Sequence, residues 1–404
     1  MLHLVRLKRW RGAAIAVLSV ALALVCARQA ALAHFRALVA PSIPAVLAAD
    51  PELQVAANDY RFIVDAERLR PEAARRSQIA RAALARSPFN PTAMRQLGLL
   101  ADLEPATKAG GRYFAVAEGM TRRDLANQMA LIGHAIERQD IPAILRHYDR
   151  ALRVFPNVNA ALFPSLVNAS SDPRVRAELR RFTGSPWFVP FLGQLIQSDN
   201  APQALGEFLT QLRPQLPVKA GDHLASMLLV RLLETSQYGA ARNWISRALP
   251  ARAAMLDRLG FDTGTTDPAF GALAWSFDES DAIAIALTKA GTLEIQLAAG
   301  RHEIVAKRMT ILPPGNYSFR QTLSHEASKP NARVTWSLRC LTPAIQPSLW
   351  SLETANGTGA QRLDSRIEIP RGCLAQAWTL SAASSGTGEP ASAWITDLTL
   401  SKLM

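Results

Sequence analysis

The 404-residue chain reads as a multidomain protein, helical first and all-β at its end: an N-terminal membrane helix, an α-solenoid, then an antiparallel β-sandwich. Three observations predict this. Residues 12 to 27 are apolar and uncharged, behind a basic start. From 41 to 258, Ala, Leu and Arg dominate at helical spacing, and key residues return at a 34-residue step: Ala83, Ala117 and Ala151, or Phe114 and Tyr148. From 259 to 404, Gly, Ser and Thr rise and apolar–polar alternation begins.

Residues 1 to 11 form a basic segment, and 12 to 33 are the predicted signal-anchor helix. Sixteen helical residues span only about 24 Å, against roughly 30 Å of hydrocarbon. Arg28 can snorkel, however, and Ala30 to Ala33 prolong the helix. Ala31-Leu32-Ala33 also fits a cleavage site, so a removed signal peptide is the alternative. On either reading the positive-inside rule sends the bulk of the chain across the membrane.

The net charge of +12 has a definite address. Residues 259 to 404 carry 12 Lys and Arg against 13 Asp and Glu, so the excess lies upstream. Part of it is Arg6, Lys8, Arg9, Arg11, Arg28 and Arg36, all before the first acid, Asp50. No dense basic stripe with interleaved aromatics follows, which argues against a nucleic-acid partner.

Within the helical stretch, Leu125 to Pro156 is the best repeat unit, with Leu131, Tyr148, Ala151 and Pro156 at the positions of a helix–turn–helix core. Asp140 is placed to cap its second helix, with Pro142 in the first turn. In the preceding unit, from Pro91 to Arg122, Leu97, Gly98, Phe114 and Ala117 hold the matching positions, the Leu-Gly pair allowing close helix approach. Tyr60, Ile63, Ala80, Ala83 and Pro88 suggest a degenerate unit before that. These residues resemble the tetratricopeptide repeat, with departures at Arg122, Ile132 and Ile144. The resemblance implies stacked helical pairs offering a surface to a protein partner. After Pro156 the repeat decays, while helices are expected to continue to Leu249.

In the last region, strands are predicted at Leu293–Leu297, Tyr317–Gln321, Val334–Cys340, Trp378–Ala382 and Trp394–Leu400. Turns are expected at Pro313 to Asn316 and at 355 to 358. Cys340 and Cys373 lie on or beside strands without a CxxC or a His/Cys cluster, which sets zinc aside. Outside the cytoplasm they read as a disulfide; the alternative is two buried thiols. Cys26 belongs to the apolar N-terminal run.

Candidate functional residues are few. Trp336 alternates with Leu338 and Cys340, Trp378 with Leu380, and Trp394 with Leu398, so all three read as core. Trp350, in the loop-like Pro347-Ser348-Leu349-Trp350, is left as the sugar-stacking candidate, core packing being the other reading. The closing run Ala393 to Leu400 resembles the last strand of jelly-roll carbohydrate-binding modules. Those families often hold calcium on a last-strand acid, and here Asp397 alone matches, a weak metal candidate. His134, His147, His223, His302 and His325 are scattered, and Asp278, Glu279 and Asp281 read as a solvated turn. No nucleophile elbow, P-loop or dinucleotide fingerprint occurs, so neither catalysis nor a cofactor is expected.

The order of parts, with Ala151 to Pro156, Leu162-Phe163-Pro164, Trp275 to Asp278, Leu312 to Tyr317, Trp336 to Cys340 and Gly372-Cys373, resembles envelope proteins of Gram-negative exopolysaccharide assembly loci. The resemblance implies a single-pass inner-membrane protein with its bulk in the periplasm. It would serve as a non-enzymatic scaffold binding protein partners, or as a carbohydrate-binding protein acting through its sandwich.

Overall fold

A computed structural model describes residues 50–56, 67–103, 109–198, 202–325, 332–342, 348–354, 359–385 and 388–403, with Cys26 and Ala30 as single helical positions. The expected anchor at 12–33 lies otherwise outside the described residues, as do Tyr60, Ile63 and the turn at 355–358. Among the described residues no helix is long and apolar enough to cross a membrane. The chain divides into two compact units, Met1–Trp187 and Phe188–Met404. The change from helix to strand falls inside the second unit.

The first unit is helical: α1 (Ala73–Arg86), α2 (Pro91–Asp102), α3 (Gly110–Met120), α4 (Leu125–Glu137), α5 (Ile141–Val154), α6 (Asn159–Ala169) and α7 (Pro173–Leu179). Starts are set by side-chain caps. Asn90, Asp124 and Asp140 each accept the backbone N–H three residues on, at 3.0 Å, and Asp172 accepts from Arg174 N at 2.8 Å. Each of the first four helices packs on the next, and α5 packs on α7. The helices α2, α4 and α6 begin 34 residues apart, at Pro91, Leu125 and Asn159.

The seam between α2 and α3 is tight because Gly98 has no side chain: a Cβ there would lie 2.5 Å from the Phe114 ring. Leu97, Phe114, Ala117, Leu131, Tyr148 and Ala151 are all buried, whereas Pro156 is exposed and opens a short 3-10 turn. Polar groups fill the other seams. Arg95 pairs with Asp124 at 2.9 Å, and Asn127 donates to Phe114 O at 3.1 Å. His147 Nδ1 lies 2.9 Å from Gln128 Oε1 and 3.3 Å from Glu118, which also receives Arg150.

The second unit opens with four helices, α8 (Phe188–Ser198), α9 (Pro202–Leu212), α10 (Val218–Glu234) and α11 (Tyr238–Ala248). The first, second and fourth of these pack around α10, which is buried along Leu224, Leu228, Leu229 and Leu232. Ten strands follow, in two five-stranded antiparallel sheets. They are β1 (Ser276–Phe277), β2 (Ile283–Leu287), β3 (Leu293–Leu297), β4 (His302–Thr310), β5 (Gly315–Ser324), β6 (Arg333–Cys340), β7 (Ser348–Glu353), β8 (Gln361–Ile369), β9 (Gln376–Ala383) and β10 (Ala391–Lys402). One sheet has the order β1-β4-β9-β6-β7 and the other β2-β3-β10-β5-β8.

Their inner faces share one core. Phe319 of the second sheet meets Trp336 at 5.5 Å, Trp378 at 6.0 Å and Trp350 at 5.0 Å, all from the first. Such ring pairs contribute about 0.5–1.5 kcal/mol each beyond their buried area. Cys340 and Cys373 form a disulfide with Cα atoms 5.7 Å apart, closing the loop between β6 and β9. The segment before β1 covers one end of this core, with Phe261 5.1 Å from Trp275 and Trp275 5.9 Å from Trp336. Buried Arg308 of β4 donates to Leu273 O, Arg258 O and Met255 O at 2.7–2.9 Å and lies over Trp275. Burial holds its pKa down at about 10. This arginine fastens the helical end of the unit to the sandwich.

Candidate functional site

The seven described tryptophans fall into two groups by what their indole N–H does. Trp187 donates to Asp149, Trp244 to Ala225 O, Trp275 to Leu259 O, Trp336 to Gln321, Trp350 to Ser365 and Trp378 to Thr310, at 2.8–3.1 Å. Trp394 has no such acceptor among the described residues, and its ring makes no aromatic contact there. It is half-buried, on the outward face of the second sheet.

This overturns the expectation that Trp394 is core. Alternation from Trp394 to Leu398 assumes a regular strand, but β10 carries a bulge. The pairing runs Trp394↔Ser324, Ile395↔Leu323 and Thr396↔Thr322, then resumes only at Thr399↔Arg320. Asp397 absorbs the extra residue with φ 52°, in the left-handed region that asparagine and aspartate tolerate best among side-chain-bearing residues. Inward positions are therefore Ala393, Ile395 and Leu398, and Trp394 points the other way.

Trp350 moves in the opposite sense. Residues 348 to 353 form edge strand β7, and Leu338↔Trp350 pairing turns the indole inward. It packs on Phe319 and Trp378, 6.0 Å from the latter, and its N–H is committed to Ser365. The proline-bracketed composition of the segment suggested a loop, and edge strands carry the weakest periodic signal. Trp350 therefore does not offer the open ring that the sequence suggested.

Around Trp394 the outward face is polar. Glu294 is its direct neighbour on β3 and Ser324 on β5. Glu294 Oε1 accepts from Gln296 Nε2 at 3.0 Å. The next row is Thr396, Thr322 and Arg362, and the one after it Thr399, Arg320 and Asp364. Asp397 is exposed and its carboxylate accepts from Thr322 Oγ1 at 3.0 Å, which pins the bulge. Among the described residues no group of three or more His, Cys, Asp or Glu could hold a metal ion. The half-buried ring amid fixed carboxylate, amide and hydroxyl groups is suited to stacking on a sugar face while hydrogen-bonding its hydroxyls.

The remaining candidates lie apart from this face. Asp278 is ion-paired with Lys307 at 2.7 Å, and Glu279 and Asp281 are exposed. His134 Nε2 sits 2.6 Å from Asp102, and His325 Nδ1 3.2 Å from Ser392 O. A cleft of about 520 Å³ beside α10 is lined by Met227, His223, Arg231, Glu234, Arg252 and Asp267 among others. Its arginines are already taken by acids, Arg231 by Glu234 at 3.5 Å and Arg252 by Asp267 at 3.3 Å.

No family model matches the sequence, and no curated protein matches it. Among solved structures, the chain is similar to one described as "CBM4 structure and function", with 11% identity and a TM-score of 0.26, over 35% of this chain and 99% of that one. It is also similar to TmCBM61 in complex with β-1,4-galactotriose, with 10% identity and a TM-score of 0.26, over 36% and 99%. A third is the N-terminal cellulose-binding domain of Cellulomonas fimi β-1,4-glucanase C, with 12% identity and a TM-score of 0.24, over 37% and 95%.

Proposed function

We propose that this is a carbohydrate-binding protein whose sandwich takes a glycan on its outward β2-β3-β10-β5-β8 face, stacked on Trp394. The observation that carries it is the contrast among the tryptophans: six spend their N–H on the protein, and half-buried Trp394 has neither a hydrogen bond nor a ring contact among the described residues, beside Glu294, Gln296, Thr322 and Ser324. Binding needs no chemistry from these residues, and the protein is read as non-enzymatic.

The test is native affinity electrophoresis of the full-length protein through gels cast with soluble polysaccharides, neutral and acidic. Retardation by at least one glycan, lost in Trp394→Ala and kept in wild type at raised salt, is the expected result. Migration that no glycan alters, from a protein with native near-ultraviolet circular dichroism, would remove the reading.

A second reading concerns the first unit. The 34-residue step of α2, α4 and α6 supports a repeat-type stack that recruits a protein partner. Met129 and Ile136 of α4 are 41% and 55% exposed and seven residues apart, so they share a helix face. In-membrane crosslinking should capture a partner that Met129→Glu with Ile136→Glu releases. A location outside the cytoplasm agrees with the disulfide; to this the reading adds an inner-membrane anchor and a place in polysaccharide assembly or export.

A further inference from the structure

We infer that the glycan is a heteropolymer with acidic sugars, a neutral ring lying on Trp394 and a carboxylate held by Arg362 on the edge strand β8. This rests on the carbohydrate-binding reading above and names the class of glycan.

The outward face is electrostatically lopsided about Trp394. On the β3 side stands Glu294, a carboxylate acceptor suited to sugar hydroxyls and repulsive to an acidic group. On the β8 side stand Arg362 and Arg366, both exposed and both without a hydrogen bond or ion pair among the described residues. The acid between them, Asp364, is engaged by Arg320 at 2.9 Å and by Ser318 at 3.2 Å. Of the other acids on this face, Asp397 is bonded to Thr322, and Glu368 lies beyond Arg366, opposite Asn316. Arg362 is therefore the guanidinium nearest Trp394 whose donors are unspent.

Register places it at a useful distance. Arg362 pairs with Thr322, which pairs with Thr396, one outward position along β10 from Trp394. From β10 to β8 is two strand spacings, about 10 Å. A glycan lying obliquely across β10, β5 and β8 thus crosses the hydroxyls of Thr396 and Thr322 between ring and guanidinium. Arg366 follows four residues along β8, about 13 Å further, in reach of a later acidic unit. A planar guanidinium grips a carboxylate through two parallel N–H donors, which gives geometry as well as charge.

The test uses the full-length protein in affinity gels at physiological salt. The acidic probes are polygalacturonate, alginate and xanthan; the neutral ones are galactan, dextran and xyloglucan; poly-L-glutamate is the anion without sugar. The expected result is retardation by an acidic polysaccharide at least about tenfold stronger than by the neutral ones, with none by poly-L-glutamate. Arg362→Gln should erase that difference, Arg366→Gln should reduce it, and Trp394→Ala should abolish binding. Equal retardation by neutral and acidic glycans, unchanged in Arg362→Gln, would overturn the acidic class and leave carbohydrate binding standing. Retardation by poly-L-glutamate that survives Trp394→Ala would mean ion exchange by a basic protein and would overturn the proposal. No retardation by any polymer would overturn both readings together.

Discussion

The two regions of this molecule are held together differently. Between the helices of the first unit, the seams combine small residues with buried polar groups: Gly98 against Phe114, Arg95 with Asp124, Gln128 with His147 and Glu118. Between the sheets of the sandwich, the seam is aromatic, built from Phe319, Trp336, Trp378 and Trp350 and closed by a disulfide. A polar seam specifies which helix meets which, because a misplaced neighbour strands a buried hydrogen-bonding group. An aromatic seam contributes more stability and is tolerant of polar substitution only on its outer surface. In the sandwich, then, the core face and the outward face can be substituted independently, and in the helical unit the same buried groups both pack and select the neighbour.

The sharpest way to break that comparison is a pair of tryptophans. Trp378→Ala empties the centre of the aromatic seam and removes the N–H donated to Thr310 Oγ1, and should cost about 3–5 kcal/mol in denaturant unfolding. Trp394→Ala should cost below about 1 kcal/mol while abolishing glycan retardation. Comparable losses of stability from both would mean that Trp394 is core after all. Next in size, Cys340→Ser with Cys373→Ser releases a link across 33 residues and should cost about 2–4 kcal/mol. Reductant should lower the melting temperature of wild type and leave that of the double variant unmoved.

How far the sequence could be read follows the same division. The strand Leu293–Leu297 has the bounds its pattern predicts, because it is regular from end to end. The step from Pro91 to Leu125 was visible because caps and small residues recur with it. Strands β2, β4 and β8 escaped notice for a physical reason. In β4 the burial pattern slips at the irregularity between Ile304 and Ala306, and buried Arg308 occupies an inward position that reads as polar. The site was missed for a related reason: parity counted through Asp397 assigns Trp394 to the wrong face, and only the left-handed backbone there reveals it. Cys340 and Cys373 were legible as a pair because no CxxC or His/Cys cluster accompanies them and the chain was placed outside the cytoplasm, whereas Trp350 was not legible as inward because edge strand β7 lacks a clean alternation.

In the helical unit the expected effects are smaller and graded. Asp124→Ala removes both the cap on Asn127 N and the partner of Arg95, whose side chain is only 3% exposed, and should cost about 3 kcal/mol. Asp124→Asn keeps the cap and should recover about 1 kcal/mol of that. Gly98→Ala forces the α2–α3 seam apart at Phe114 and should cost about 1–3 kcal/mol. Both should be read by chemical unfolding with a reporter in the first unit. A Gly98→Ala protein as stable as wild type would mean that the seam is loose enough to give.

The smallest expected effect is also the one most specific to a polar seam. His147 is buried, and desolvation lowers its pKa below the ordinary value of 6.5, with Arg150 and Arg146 adding to the shift and Glu118 opposing it. The unfolded chain therefore takes up a proton at this histidine near pH 6.5 while the folded chain does not. Protons bind the unfolded state more, so stability is fully present above that pH and declines as the pH falls through it. His147→Gln keeps a hydrogen-bonding side chain for Gln128 but cannot titrate, and should flatten the slope of stability between about pH 7 and 5. Sandwich variants such as Trp394→Ala should leave the slope intact. If His147→Gln loses more stability than wild type as the pH falls through that interval, Glu118 rather than burial dominates at this site. The polar seam would then carry a protonated histidine as a true ion pair, and its strength would resemble that of Arg95 with Asp124.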